Sequence, residues 1–245
     1  MLSISAVLPA YNEEQVIAAS VAAMVKTLES FGADYEVIVV NDGSRDRTAE
    51  ILTRLGQENP RVRMVTHERN QGYGAAVWTG FTSARKDLVF LTDGDKQFDV
   101  DEISLLLPML DGADMVIGYR AKRADPPLRL LNAWGWKQLV NLLFGYTARD
   151  IDCAFKLFRR SVLDRVDVHS RGATMSAEFL IKARRFGYVI RERAVSHYPR
   201  PAGQATGAKP AVILRAFREL IQLRLNLEAD LARASQSREA TRPGV

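Results

Sequence analysis

Asp93 and Asp95, in the stretch "FLTDGDKQFD" at residues 90 to 99, are two carboxylates separated by one glycine directly after an apolar run. If the backbone stays extended there, residues two apart leave the sheet on the same side. Like charges held that close repel unless a cation or strong donors balance them. Hard carboxylate oxygens in this arrangement suit Mg²⁺ or Mn²⁺, ions that keep further positions for water and phosphate oxygens. Gln97, two residues on, could supply a neutral oxygen or orient a water, and a solvated turn with no ligand is the alternative.

The elements that must position these carboxylates are legible in the surrounding pattern. The β-rich runs "ISAVLPA", "YEVIVVN", "VRMVTH", "DLVFLTD" and "ADMVIGY" alternate with segments near 13 to 30, 46 to 57, 74 to 85 and 101 to 110 that carry apolar residues at helical spacing. Such alternation predicts βαβ units on a mostly parallel sheet, where ligands collect beyond the carboxyl ends of the strands. The polar strand ends are "PAYNEE", "NDGSRD" and "TDGDKQ". Taken alone, Asp42 in the second suits a turn residue bonding its own backbone, with Asp46 capping the next helix, and Glu13 suits the first turn of a helix.

After "GYR" the pattern changes. Residues 121 to 129, "AKRADPPLR", read as a basic loop, "LNAWGWKQLVNLLFGY" as an aromatic-rich amphipathic helix, and "DCAFKLFRR" as a strand. A helix through "SAEFLIKARRFG" and a strand in "YVIRERAVSHY" follow. The expected organisation is an α/β domain over 1–209, a basic amphipathic helix over 210–230, and a disordered tail over 231–245 that offers little to bury.

A chain of 245 residues, 47% hydrophobic and 26% charged, can bury one sizeable core. Its apolar runs fall short of the roughly 20 residues that cross a bilayer, and no basic region precedes the first of them, so neither a span nor a signal peptide is expected. The lone Cys153 closes no intramolecular disulfide, which fits a reducing cytosol, and reads by itself as a small buried hydrophobe. The net charge of +5 suits an anionic partner. Without aromatics clustered among the basic residues on a recognisable binding fold, nucleic acid is not the expected one. The glycine fingerprint of dinucleotide binding is absent after the first strand, "GYGAAV" places Val77 at its third glycine, and there is no P-loop. An aspartyl-phosphate phosphatase would place its carboxylates after the first strand, whereas these follow the fourth.

In this order and spacing, "LPAYNEE", "VVNDGSRDRT", "NQGYGAA" and "TDGDKQFD" resemble the inverting family 2 glycosyltransferases of GT-A fold, a Rossmann-like, mostly parallel sheet flanked by helices. The resemblance covers about residues 4 to 120. From 118 to 210 the chain looks most like the polyprenyl-phosphate branch related to dolichyl-phosphate mannose synthase. The resemblance implies Pro9, Tyr11, Glu13, Asp42, Asp93 and Asp95 around a nucleoside-diphosphate sugar, with Asp93, Asp95 and Gln97 holding Mg²⁺ or Mn²⁺ on the diphosphate. It implies Arg120, Arg129 and Arg200 on the acceptor phosphate, a task that suits guanidinium forks, although each alone equally suits a solvated surface. Asp93, Asp95 and Arg120 are the expected catalytic residues.

Many family members that glycosylate hydroxyls carry a Glu-Asp pair on the helix after the acceptor strand, with the Asp as base. Here Phe179 follows Glu178. A phosphate monoester, with a second pKa of about 6, needs little help to become a nucleophile, so the departure favours a lipid-phosphate acceptor. Glu178 then orders the site or pairs on a surface. "DIDCAFK" stands where relatives often have Ser-Gly-Phe after an Asp, which leaves Asp150 and Lys156 without an assigned role. The implied reaction is transfer of a hexose from GDP-mannose or a UDP-sugar to a polyprenyl phosphate, the alternative being transfer to a hydroxyl of a glycan or small lipid. The implied place is the cytoplasm, peripherally on the cytoplasmic membrane face or held there by a membrane partner protein. Trp134, Trp136, Leu139, Leu143 and Phe144, and Ile213, Phe217, Leu220 and Ile221 interleaved with Arg215, Arg218 and Arg224, could form interfacial helices or core stripes.

Overall fold

The computed structural model describes residues 1–121, 127–200 and 210–241. The first half is a run of parallel units: β1 (Ser3–Ala10), α1 (Ile17–Ser30), β2 (Asp34–Asn41), α2 (Thr48–Glu58), β3 (Val62–Thr66), α3 (Tyr73–Ser83) and β4 (Leu88–Leu91). A short helix α4 (Ile103–Leu106) sits between two 3₁₀ turns, and Pro108 in the second lacks the N–H that a continuing helix would use. Then come β5 (Met115–Arg120), α5 (Pro127–Phe144), β6 (Lys156–Arg159), α6 (Thr174–Arg185), β7 (Ile190–Val195) and α7 (Pro210–Thr241).

The seven strands form one sheet in the order β3-β2-β1-β4-β6-β5-β7. β6 runs antiparallel to both of its neighbours, and the other pairs are parallel. This arrangement decides where function can sit. The parallel strands end on one edge, and β6, running the other way, begins there. The loops after β1, β2, β3, β4, β5 and β7 and the segment before β6 therefore converge on a single rim.

Alternate strand residues fill two apolar layers. Ile4, Leu8, Val37, Val39 and Phe90 face α1 with its Ile17, Val21, Met24 and Leu28. Val7, Ile38, Val40, Val89 and Leu91 face α3 and α6, where the Phe81 ring lies 4.9 Å from Phe158 and 5.3 Å from Phe179. Leu220, Leu223 and Leu227 of α7 complete this layer. The C-terminal helix is thus part of the core, with one stripe buried. It also continues past the expected boundary at 230, because "LARASQSREAT" is mostly good helix former and propagation from an existing helix is easy. Residues 201–209 and 242–245, and the side chain of Arg129, lie outside the described residues.

Candidate active site

The loops after β1 and β2 are laced together. Asn12 N–H donates to Ser44 Oγ at 3.0 Å, and Arg45 N–H returns a bond to Asn12 Oδ1 at 2.8 Å. Glu13 N–H donates to Thr48 Oγ1 at 2.9 Å, and Glu14 N–H to Asp46 Oδ2 at 3.1 Å. Asp46 also accepts from Thr48 N–H at 3.0 Å, the cap-like role expected of it. Gly43 adopts φ +67, and a Cβ there would lie 2.5 Å from the Arg69 carbonyl carbon, so this turn requires glycine. Pro9 lies on β1 and Tyr11 just beyond it, half-buried on the rim.

Asp42 is not a turn residue bonding its own backbone. Its Oδ1 accepts from Gln71 N–H at 2.9 Å and meets His67 Nδ1 at 2.7 Å, while Oδ2 accepts from Gly72 N–H at 2.9 Å. It ties the "NQGYG" loop to the end of β2.

Asp93 and Asp95 do not continue an extended strand. β4 ends at Leu91, Asp93 lies in irregular backbone after it, and Asp95 lies on the turn that starts at Gly94. Gly94 packs tightly: a Cβ there would meet Ile17 Cδ1 at 3.1 Å and Pro9 O at 3.3 Å. Ser20 Oγ donates to Gly94 O at 2.7 Å. The glycine lets the turn lie against α1 and the end of β1, fixing it to the framework.

Burial, and then the charge of Asp95, raise the Asp93 carboxyl to about 7, while Tyr73, Arg200 and Arg120 act against this. Asp93 Oδ1 is buried with no hydrogen-bond partner among the described residues. Although 37% of Tyr73 is exposed, burial of its hydroxyl end and the nearby Asp93 hold the phenol well above its ordinary value, so it stays protonated and donates to Asp93. Asp95 accepts from Gln97 N–H at 3.0 Å and from Arg200 Nη2 at 2.7 Å. The other arm of Arg200, Nη1, reaches Glu13 Oε1 at 3.1 Å. Burial raises the Glu13 carboxyl; Arg200 works against the rise and Asp95 adds to it. Glu13 also lies ahead of α1 rather than in it, and its carbonyl accepts from Val16 and Ile17 N–H.

Arg120, at the end of β5, makes a two-pronged pair with Asp150: Nε to Oδ2 at 2.6 Å and Nη2 to Oδ1 at 2.7 Å, both side chains largely buried. Burial alone would lower the Arg120 pKa, but the Asp150 bond raises it, so the guanidinium is permanently charged near Asp93. Lys156 is buried, donates to the carbonyls of Ile151 and Cys153, and has its pKa lowered by that burial. Burial pushes the Cys153 thiol up to about 12, so it stays neutral. The rim thus brings together Glu13, Asp93, Asp95, Gln97, Arg120 and Arg200, with Asp42 nearby through the "NQGYG" loop. Sequence reasoning missed Tyr73, although it lies within "NQGYGAA", as well as His67 and the Asp150 support of Arg120.

On α6, Glu178 is fully engaged. It accepts from His169 N–H at 3.0 Å and Ser170 N–H at 2.8 Å and pairs with Lys182 at 2.7 Å. Against the upward push of burial, Lys182 and these donors hold its carboxyl below the ordinary value. Phe179, in the position where a base could stand, is core.

Asp93 Oδ1, a buried oxygen lacking a partner among the described residues beside a second carboxylate, fits a hard divalent ion, while the Gln97 side chain, two residues past Asp95, donates its amide to Tyr198 O at 3.0 Å. Among the described residues no group of three or more His, Cys, Asp or Glu side chains forms a metal cluster. Two carboxylates would leave positions for phosphate oxygens, as a nucleotide-bound ion requires.

The glycosyl transferase family 2 profile matches residues 5–167. The chain is 34% identical over 171 residues to a dolichyl-phosphate beta-glucosyltransferase of Trichomonas vaginalis, covering 63% of this chain and 51% of the relative. It is 30% identical over 230 residues to a dodecaprenyl-phosphate galacturonate synthase of Rhizobium johnstonii, covering 91% of this chain and 65% of the relative. The chain therefore spans about half to two thirds of the length of these curated relatives. In structure it is similar to glucosyl-3-phosphoglycerate synthase of Mycobacterium tuberculosis, solved with Mn²⁺, UDP-glucose and phosphoglyceric acid. There the TM-score is 0.70 at 21% identity, covering 91% of this chain and 80% of the other, which shows the shared GT-A fold. The motifs, the rim they build and the profile match agree: the chain belongs to glycosyl transferase family 2.

Proposed function

We propose that this protein is an inverting glycosyltransferase that moves a hexose from a nucleoside-diphosphate sugar to a polyprenyl phosphate. A phosphate oxygen of the acceptor forms the new bond to the anomeric carbon as the bond to the diphosphate breaks, and the nucleoside diphosphate leaves. The observation that carries this reading is the state of α6: Phe179 is core and Glu178 is spent on two amides and Lys182. A hydroxyl acceptor would need its proton removed, whereas a phosphate brings its own negative charge.

When bound by Asp93, Asp95 and Gln97, Mg²⁺ or Mn²⁺ would supply Lewis-acid stabilisation of the charge that builds on the leaving diphosphate. Both relatives' names contain a polyprenyl or dolichyl phosphate, and the structural neighbour was solved with Mn²⁺ and UDP-glucose, which supports this assignment. Pro9, Tyr11 and Glu13 would border the nucleoside, and Asp42 would shape its pocket by holding the 67–72 loop. Arg120, held by Asp150, and Arg129 would meet the acceptor phosphate.

The lipid would be reached from a membrane surface. Among the described residues no helix is long and apolar enough to span. α7 presents Leu214, Phe217, Ile221 and Leu225 to solvent opposite its buried stripe, with Leu225 77% exposed. α5 adds Leu131, Trp134 and Leu142, the last 82% exposed, and Trp136 packs edge-on against Phe217 at 6.2 Å. With Arg215, Arg218 and Arg224 alongside, this face suits peripheral attachment to an anionic bilayer on the cytoplasmic side.

The test is nucleoside-diphosphate release from a panel of GDP- and UDP-sugars with Mn²⁺ and a short polyprenyl phosphate. Release that needs the lipid, and falls about 10²- to 10³-fold in Asp95→Ala, supports the proposal. Release stimulated by soluble hydroxyl acceptors and indifferent to the lipid overturns it.

A further inference from the structure

The polypeptide after β7 carries a cation into the acidic centre. Ser196 N–H donates to Glu102 Oε2 at 2.8 Å, and Tyr198 is bonded twice to Gln97: Tyr198 N–H to Gln97 O at 2.8 Å, and Gln97 Nε2 to Tyr198 O at 3.0 Å. These ties deliver Arg200, two residues on, to bridge Asp95 and Glu13 with one guanidinium arm on each. Asp95 and Glu13 are nearly buried, whereas the Arg200 side chain is 25% exposed and enters from the solvent side.

We infer that Arg200 is an internal counter-ion occupying the position a divalent ion needs on Asp95, so that metal entry and Arg200 release are one coupled exchange. Asp95 Oδ2 already receives a charge-assisted bond at 2.7 Å. A divalent ion placed on the same carboxylate would stand against a fixed positive charge within a few ångströms, a repulsion only slightly screened in a site this enclosed. One of the two must leave. The guanidinium is the mobile partner, because it is the more exposed and its own bonds are those to Glu13 and Asp95, while the backbone before it is tied to Glu102 and Gln97 through Ser196 and Tyr198.

The displaced fork must find another anion. A phosphate monoester matches it in charge and geometry, and this part of the inference rests on the acceptor reading above. Arg200 then links the two substrates. Without acceptor it neutralises the carboxylates and holds metal affinity down; an acceptor phosphate that draws it away raises that affinity. By reciprocity, metal raises affinity for the phosphate by the same factor. The arrangement would discourage binding of a charged donor, and its loss to water, before an acceptor is present.

The experiment is Mn²⁺ binding by the full chain, read from the free-ion paramagnetic resonance signal, with no nucleotide sugar present. Arg200→Gln should bind Mn²⁺ on the order of tenfold more tightly than the unaltered protein, the scale expected for removing charge-assisted competition. Arg200→Lys, which keeps the charge but loses the fork, should fall between them. Adding a short-chain prenyl phosphate should tighten Mn²⁺ binding to the unaltered protein several-fold and leave Arg200→Gln unmoved. Equal affinities, weaker binding in Arg200→Gln, or no Mn²⁺ binding by either protein overturns the exchange. If Arg200→Gln tightens Mn²⁺ binding but prenyl phosphate has no effect on the unaltered protein, the counter-ion role stands and the phosphate link fails, while the acceptor reading itself is decided by whether nucleoside-diphosphate release needs the lipid.

Discussion

Replacing Glu178 by glutamine separates a structural strut from a catalytic base. The carboxylate is buried with two backbone amides on its oxygens, and Lys182 lies 2.7 Å away with only 3% of its side chain exposed. Lys182 keeps Asp230 at 2.9 Å and the Asp167 carbonyl, but loses the nearer of its two carboxylates. Glutamine can accept one amide bond; its NH₂ then faces the other amide, donor against donor. Removing one partner from a buried ion pair costs about 3–5 kcal/mol. Because Asp230 remains, the lower end, about 3 kcal/mol, is expected, or a melting temperature lower by roughly 6 to 12 °C for a chain of this size. The assays are thermal and urea unfolding beside turnover well below the melting point. A strut predicts the stability loss, a modest fall in turnover and an unchanged pH–rate profile. A variant that stays stable while its turnover collapses and the basic limb of its profile disappears would refute the reasoning, and with it the argument for an acceptor that needs no base.

Three further outcomes follow from the same geometry. Asp150→Asn should weaken use of the lipid acceptor at least about tenfold through KM, because Arg120 loses its charged, two-pronged support; donor-binding titrations should change less. In metal-free protein the raised Asp93 carboxyl makes this residue's contribution fall as pH rises, since the folded state holds a proton between the ordinary carboxylate range and about 7 that the unfolded chain has released. Asp93→Asn should therefore melt higher than the unaltered protein at pH 8, with the gap shrinking by pH 5, and a gap that widens on acidification would contradict the assignment. On α7, Leu214→Ser, Ile221→Ser and Leu225→Ser together should abolish flotation with anionic liposomes while barely shifting the melting temperature. Leu220→Ala, one face away in the core, should cost about 2–5 kcal/mol and is the matched control.

The strands and their order of use were legible because the apolar runs are short, β-rich and punctuated by polar ends. Both faces of the sheet are covered, so "YEVIVV" reads as a nearly continuous run and its identity as a parallel strand follows. The antiparallel insertion of β6 was not legible, since periodicity gives the direction of no strand. At the site, types and spacing pointed to Asp93, Asp95 and Gln97, but not to what surrounds them. Arg200 meets Asp95 from 105 residues away, and Asp42 meets Gly72 from 30. Pairings at such separation arise from topology, which brings the loops after β1, β4 and β7 to one rim. Local pattern could only propose Asp42 as a turn residue and Arg200 as a surface or phosphate-binding residue. The two stripes of α7 show the same limit. Sequence spacing identified its apolar positions, whereas packing against α6 decided that Leu220 is core and Ile221 is exposed.

The central claim is that the new glycosidic bond is made to a phosphate oxygen. The most direct measurement is phosphorus NMR of a short polyprenyl phosphate incubated with the protein, Mn²⁺ and the active nucleoside-diphosphate sugar. The account predicts that the monoester resonance is replaced by a phosphodiester coupled to an anomeric proton, in step with nucleoside-diphosphate release. A lipid that remains a monoester while the sugar is transferred to a hydroxyl, or is simply hydrolysed, would contradict it.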